Sequence, residues 1–210
     1  MDHIQRLCPS IVGLVETKVK LSDLHKIKKC VPQNWISCNN FHLSTIGRIS
    51  ISWNLAIWAC AVLSISMQQI TISMKNNGGM EGFLSVVYGL NTQGGREELS
   101  KDLIGLQIHS SPWLVTGDCN IARYTDEKFR GKPLTFNQLS FFNDFITRCS
   151  LSDLRSVGSY WSWSNKSLGI GRIVGKLDRT LCNSHWLDLL CPIMNTCLIL
   201  QVITHPCILV

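Results

Sequence analysis

Two stretches, "ISISW" at residues 49–53 and "ITISM" at 70–74, alternate apolar with polar side chains. A period of two puts every second side chain on one face, as in a half-buried antiparallel strand. IVGLVET (11–17) is a β-branched run ending in a carboxylate, and NWISCNN (34–40), GRISISWN (47–54) and AVLSISMQQITISM (61–74) follow as successive strands. KNNGG (75–79) is a turn by composition, and GFLSVVYGLN (82–91) is a further strand. SDLHKIKK (22–29) predicts a short helix capped by Ser22. GGREELSKDLIGLQI (94–108) carries Glu97 and Glu98 in its first turn and apolar residues at 99, 103, 106 and 108, which is a helical spacing. TFNQLSFFNDFITRCS (135–150) predicts another helix, after the basic loop 120–133. SDLRSVGSYWSWSN (152–165) and KLDRTLCN (176–183) read as late strands.

WLVTGDCN (113–120) is a buried strand closed by Gly117, with a carboxylate and an amide just beyond. In open α/β folds, polar groups past strand ends are where ligands collect. Asp118 and Asn120 lie two apart, so extended backbone would point them to the same side. Mixed strands flanked by helices suggest a layered α/β domain, two sheets face to face with helices outside. No linker, repeat or low-complexity run divides residues 1–210, so one domain is expected.

Composition changes this picture little. The chain is 45% hydrophobic and 16% charged, which supports a packed core and excludes disorder. Its net charge of +6 is compatible with a phosphate-rich partner. The ten cysteines include no C-x-x-C pair and no zinc-finger spacing. The N-terminus lacks the apolar core of a signal peptide, so reduced thiols and a nuclear or cytoplasmic location are expected. Residues 189–210 are largely apolar, but polar residues and two prolines interrupt them. Two buried strands with a loop between suit them better than a membrane span.

Each candidate for chemistry has a plain structural alternative. Glu16 is either a surface carboxylate paired with Lys18 or Lys20, or a hard oxygen ligand for Mg²⁺. Tyr88 and Asn91 are either a strand tyrosine and a turn asparagine, or a phenol and an amide facing a phosphate. Asp118, directly after "LVTG", must be solvated, paired or functional. Asp178 and His205 are either unrelated, or a carboxylate–imidazole pair for general-base work. Tyr160–Asn165 reads as alternating core residues of a strand, with a stacking surface beside a nucleic-acid groove as the alternative. Basic residues flank every candidate acid: Lys18 and Lys20; Arg123, Lys128, Arg130 and Lys132; Lys166, Arg172, Lys176 and Arg179.

The ordered set "LVETK", "GRISISWN", "VYGLN", "PWLVTGDCN", "LSDLRSVGSYWSWSN", "KLDRTLCNSHW" and "HPCIL" resembles the endonuclease/exonuclease/phosphatase (DNase I-like) family. More narrowly, it is similar to the endonuclease domain of plant non-LTR (LINE-type) retrotransposons. The resemblance implies a four-layer α/β/β/α sandwich and phosphodiester cleavage of DNA with Mg²⁺, or Mn²⁺ in its place. By position it makes Glu16 the metal ligand and Tyr88 the phenol near the scissile phosphate. Asp118 aligns or activates water, Asn120 helps hold the phosphate, and Asp178 orients the catalytic His205. A reverse transcriptase would accompany such a domain in an intact parent element.

Two departures are visible. The chain starts about one strand late relative to the family's Asn-bearing first strand, and Thr204 stands where the family has an acid before the histidine. Each lost group can cost on the order of 10²–10³ in rate. Impaired activity is therefore expected, with a catalytically inactive nucleic-acid-binding remnant as the alternative. A small-molecule phosphoesterase is a third reading, since one fold hosts several chemistries.

Overall fold

The computed structural model describes residues 9–44, 46–154, 159–190 and 200–203. Two sheets carry the fold. The first is built from β1 (Ile11–Val15), β2 (Trp35–Asn39), β3 (Ile49–Asn54) and β13 (Leu200–Ile203), in the order β13-β1-β3-β2. β1 pairs parallel to β13 and antiparallel to β3. The second is built from β4 (Trp58–Ile65), β5 (Gln69–Asn76), β6 (Glu81–Tyr88), β7 (Trp113–Asp118), β9 (Ser152–Asp153) and β12 (Asp178–Cys182). Its order is β4-β5-β6-β7-β12-β9. Its ladders are antiparallel except β6 with β7, which pair parallel through a helical crossover.

Strand alternation sends alternate residues to different cores. Ile11, Val15, Ile49, Ile51 and Trp53 of the first sheet meet Ile70, Ile72, Leu84, Val86 and Leu114 of the second. Each fully buried isoleucine there contributes roughly 1.5–3 kcal/mol by leaving water. The intervening residues face outward. Val12 and Leu14 pack with Phe41 and with Ile27 of α1 (Leu24–Lys28). Val87, Trp113, Val115 and Leu181 are covered by Leu99 and Leu103 of α2 (Gln93–Gly105) and by Phe142, Phe145 and Ile146 of α3 (Phe136–Arg148). The order is helix, sheet, sheet, helix, the expected four layers.

The caps of α2 and α3 follow from composition. The side chains of Thr92 and Thr135 accept from Gly95 N and Gln138 N, and the Gln138 side chain accepts in return from Thr135 N at 2.9 Å.

Several local expectations change. Ser22 caps nothing: it lies inside a 3₁₀ turn, Leu21–Asp23, that precedes α1. The run at 61–74 is two strands, because Asn40 Nδ2 donates to Ser66 O and Met67 O and holds the chain in a turn there. After β12 the chain forms α4 (Ser184–Leu190) rather than more strand, with Asn183 Oδ1 accepting from Trp186 N at 3.1 Å. That helix takes up the start of the apolar 189–210 stretch and β13 lies within it; residues 191–199 and 204–210, where two strands and a loop were expected, lie outside the described residues. Among the described residues no helix is long and apolar enough to cross a membrane.

Candidate active site

β6 and β7 end side by side, and the site stands at their C-terminal ends. Tyr88 is the register partner of Asp118, and Asp118 is the register partner of Asp178. Three predicted residues thus form one row across β6, β7 and β12, on the face turned toward the first sheet.

Two glycines let the strands close up. Gly117 has φ +140°, and a Cβ there would collide with Val87 O. A Cβ on Gly89 would lie 2.6 Å from Cys119 O, and Gly89 N donates to Asp118 O at 2.7 Å. Only glycine tolerates such approaches.

Past Asp118 the backbone is not extended, contrary to the expectation. Asn120 has φ +50°, and its N–H donates to Asp118 Oδ1 at 2.8 Å. This local turn is typical of Asp and Asn. It brings both side chains to the cleft without strand alternation. Asn120 Nδ2 donates to Gly89 O at 2.6 Å, which leaves its second N–H for a ligand.

Glu16 follows β1 with φ +54°, and Lys18 has φ +52°. Left-handed backbone at two side-chain-bearing residues is a local strain of the kind held at functional sites. Lys18 Nζ lies 2.8 Å from Glu16 Oε1. Glu16, Tyr88, Asn91, Asp118 and Asn120 together line one cleft of about 580 Å³.

Electrostatics there disfavour ionised acids. Burial pushes the Asp118 carboxyl up to about 7, Asp178 and Glu16 push in the same direction, and the Asn120 N–H opposes them. Burial also raises the Tyr88 phenol, together with Glu16 and Asp118, while Arg48 and Lys18 pull it down. A hard divalent ion suits this set of oxygen donors, because Mg²⁺ typically needs only one or two protein carboxylates beside water and phosphate. Among the described residues no three His, Cys, Asp or Glu side chains form a closed metal cage. His205 lies outside the described residues.

One further site group comes into view only in the fold. Arg96, from the first turn of α2, lines the cleft and donates to Asn91 O at 2.7 Å. Lys128, Lys166 and Trp163 line it as well.

The aromatic cluster is not core: Tyr160 and Trp163 are 47% and 39% exposed. The reason is that β10 (Trp163–Ser164) belongs to a small sheet with β8 (Lys128–Phe129) and β11 (Val174–Gly175), and that sheet flanks the cleft. Within the cluster Ser162 Oγ accepts from Leu177 N and Asp178 N, fixing the start of β12.

Three of the predicted cations are committed elsewhere, Lys176 among them, 3.8 Å from Glu127. Arg179 and Arg123 both pair with Asp153, and Arg179 also pairs with Glu127. Glu127 further accepts from Arg123 N and Tyr124 N. Burial pushes Asp153 up, but Arg123 and Arg179 hold its carboxyl below the ordinary value. This buried network ties the loop 120–133 to β12. A composition count cannot separate such arginines from free ones.

No protein-family model and no curated protein sequence matches the chain. Solved structures do match. The endonuclease domain of TRAS1, a telomere-specific non-LTR retrotransposon, superposes with a TM-score of 0.62 at 12% identity, over 86% of this chain and 88% of that one. The 3′ phosphatase NExo from Neisseria, bound to a product DNA hairpin, gives 0.60 at 13% identity over 87% and 81%. The APE2 catalytic domain from Xenopus laevis gives 0.58 at 13% identity over 89% and 78%. These likenesses show the fold alone, a DNase I-like four-layer sandwich.

Proposed function

We propose that the chain is a Mg²⁺-dependent phosphodiesterase that nicks DNA, of the non-LTR retrotransposon endonuclease type. The observation that carries this reading is the row Tyr88–Asp118–Asp178, whose first two members line, with Asn120 and Glu16, a cleft rimmed by Lys18, Arg96, Lys128 and Lys166. Carboxylates for water and metal, donors for phosphate and a cationic rim for the backbone are what hydrolysis of a polyanion needs. The TRAS1 likeness supports the narrower type, as do the phrases "SVGSYWSWSN" and "KLDR".

In this reading Glu16 holds the ion, Mg²⁺ or Mn²⁺, which when bound offsets charge on the phosphate. Asp118 takes the proton of the attacking water. A carboxyl titrating near neutrality is well matched to that task. Asn120 and Asn91 hold phosphate oxygens, and Tyr88 donates to one. Asp178 orients His205, a role carried over from the resemblance alone. Burial of Asp118 beside Asp178 keeps bulk water from screening these interactions.

The test is nicking of supercoiled plasmid by purified protein, with Mg²⁺, with EDTA, and with Asp118→Asn. Mg²⁺-dependent nicking lost in the variant supports the reading; nicking that persists in EDTA or in the variant overturns it. Thr204, in place of an acid before His205, favours a second reading as an inactive DNA-binding remnant. That reading expects salt-sensitive DNA binding and no nicking from folded protein.

A further inference from the structure

Arg48 precedes β3 and stands between two parts of the candidate site. Its carbonyl accepts from Thr17 N at 3.3 Å, which ties it to the turn that carries Glu16. Its guanidinium lies over the Tyr88 ring, 5.1 Å from the centroid, and Nη1 lies 3.3 Å from the Tyr88 hydroxyl. Tyr88 is 8% exposed and lines the cleft.

The chemistry of this contact has one direction. Guanidinium nitrogens only donate, so the phenol oxygen must accept. The phenol's own hydrogen is then turned away from Arg48 and needs another acceptor. Without the guanidinium, Tyr88 could itself accept, and its hydrogen would rotate freely. A hydroxyl that accepts from a cation is also polarised and becomes a stronger donor. Stacking over the ring face fixes the ring as well as the hydroxyl.

We propose that Arg48 is a positioning residue for phosphodiester hydrolysis, holding the Tyr88 phenol as a hydrogen-bond donor aimed at a phosphate oxygen in the cleft. The proposal rests on the hydrolase reading above. It assigns Arg48 an effect that passes through Tyr88, with no need to touch the substrate. Donors preset where charge develops act in the transition state more than in binding.

The experiment is a double-mutant cycle of Arg48→Met and Tyr88→Phe, with Arg48→Lys as the conservative control. Plasmid nicking is measured under single turnover, and affinity for a short duplex DNA is measured in EDTA. Arg48→Met is expected to slow cleavage on the order of tenfold and to leave the half-saturating DNA concentration within about twofold. In the Tyr88→Phe background it is expected to slow cleavage no further. In protein labelled with ¹³C-tyrosine, the Tyr88 ζ-carbon resonance at neutral pH is expected to move in Arg48→Met, with those of Tyr124 and Tyr160 unmoved. Independent, multiplying losses in the cycle overturn the proposal, and so does an unmoved resonance. If the wild-type chain folds but cleaves nothing, the hydrolase reading fails, and the Arg48–Tyr88 contact is scored on the Tyr88 resonance alone. A resonance that moves in Arg48→Met then supports the Arg48–Tyr88 unit, and an unmoved one overturns it.

Discussion

Asp118 and Asp178 stand directly opposite one another on neighbouring antiparallel strands. Like charges in that position repel, and burial adds to the cost. An arrangement that costs stability beside a cleft marks a candidate functional site.

The first prediction follows from that cost. A carboxyl in the unfolded chain loses its proton near 3.8, whereas Asp118 in the fold holds it to about 7. Between those values the folded chain binds more protons, so Asp118 subtracts stability as pH rises through that window. In EDTA, Asp118→Asn is expected to stabilise the protein at pH 8 by on the order of 2 kcal/mol and to change little at pH 3.5. Thermal melts at both values check this. An equal gain at both would mean that the carboxyl is not perturbed.

A second prediction concerns the buried charge network. The side chains of Glu127 and Arg179 are 3% and 0% exposed. Removing Arg179 leaves buried Glu127 with only the longer pairing to Lys176, 3.8 Å away, a loss of up to about 3–5 kcal/mol. Arg179→Met is expected to lower the urea midpoint accordingly, and pairing it with Glu127→Gln should recover part of the loss. A midpoint unchanged by Arg179→Met would show that the pair adds nothing.

Gly117 supports the third. Its φ is +140°, and Val87 O occupies the space that a Cβ would need. Gly117→Ala must therefore push β6 and β7 apart or prevent folding. A loss of at least about 2 kcal/mol is expected, along with loss of nicking. A soluble variant with wild-type stability and activity would contradict so close an approach of the two strands.

Trp163 separates binding from folding. It lines the cleft and is 39% exposed. Trp163→Ala is expected to change stability by no more than about 0.5–1 kcal/mol and to weaken duplex DNA binding several-fold, with the salt dependence kept. A large loss of stability with unchanged DNA affinity would restore Trp163 to a core role.

Strand and helix identity were legible in the sequence, because alternation in "ISISW" and "ITISM" and the spacing in 94–108 report directly which face is buried. The four layers followed from the same pattern. The aromatic cluster misled because alternation shows only that side chains point to opposite faces. It cannot say whether the partner on one face is a core or an open cleft. Arg123 and Arg179 were counted as substrate cations for a similar reason: composition records a charge but not its buried partner.

By itself the sequence determined the residue types at the candidate site, the strand ends that bear them and the glycine that closes β7. Backbone geometry and local periodicity are encoded within a few residues, so these needed no distant information. The tertiary structure alone decided that Tyr88, Asp118 and Asp178 form one row, that Asn120 reaches the cleft through a left-handed turn, and that Arg48 stacks on Tyr88 across 40 residues. Register and inter-sheet contact arise from side chains far apart in the chain, whose meeting is set by how whole sheets pack together.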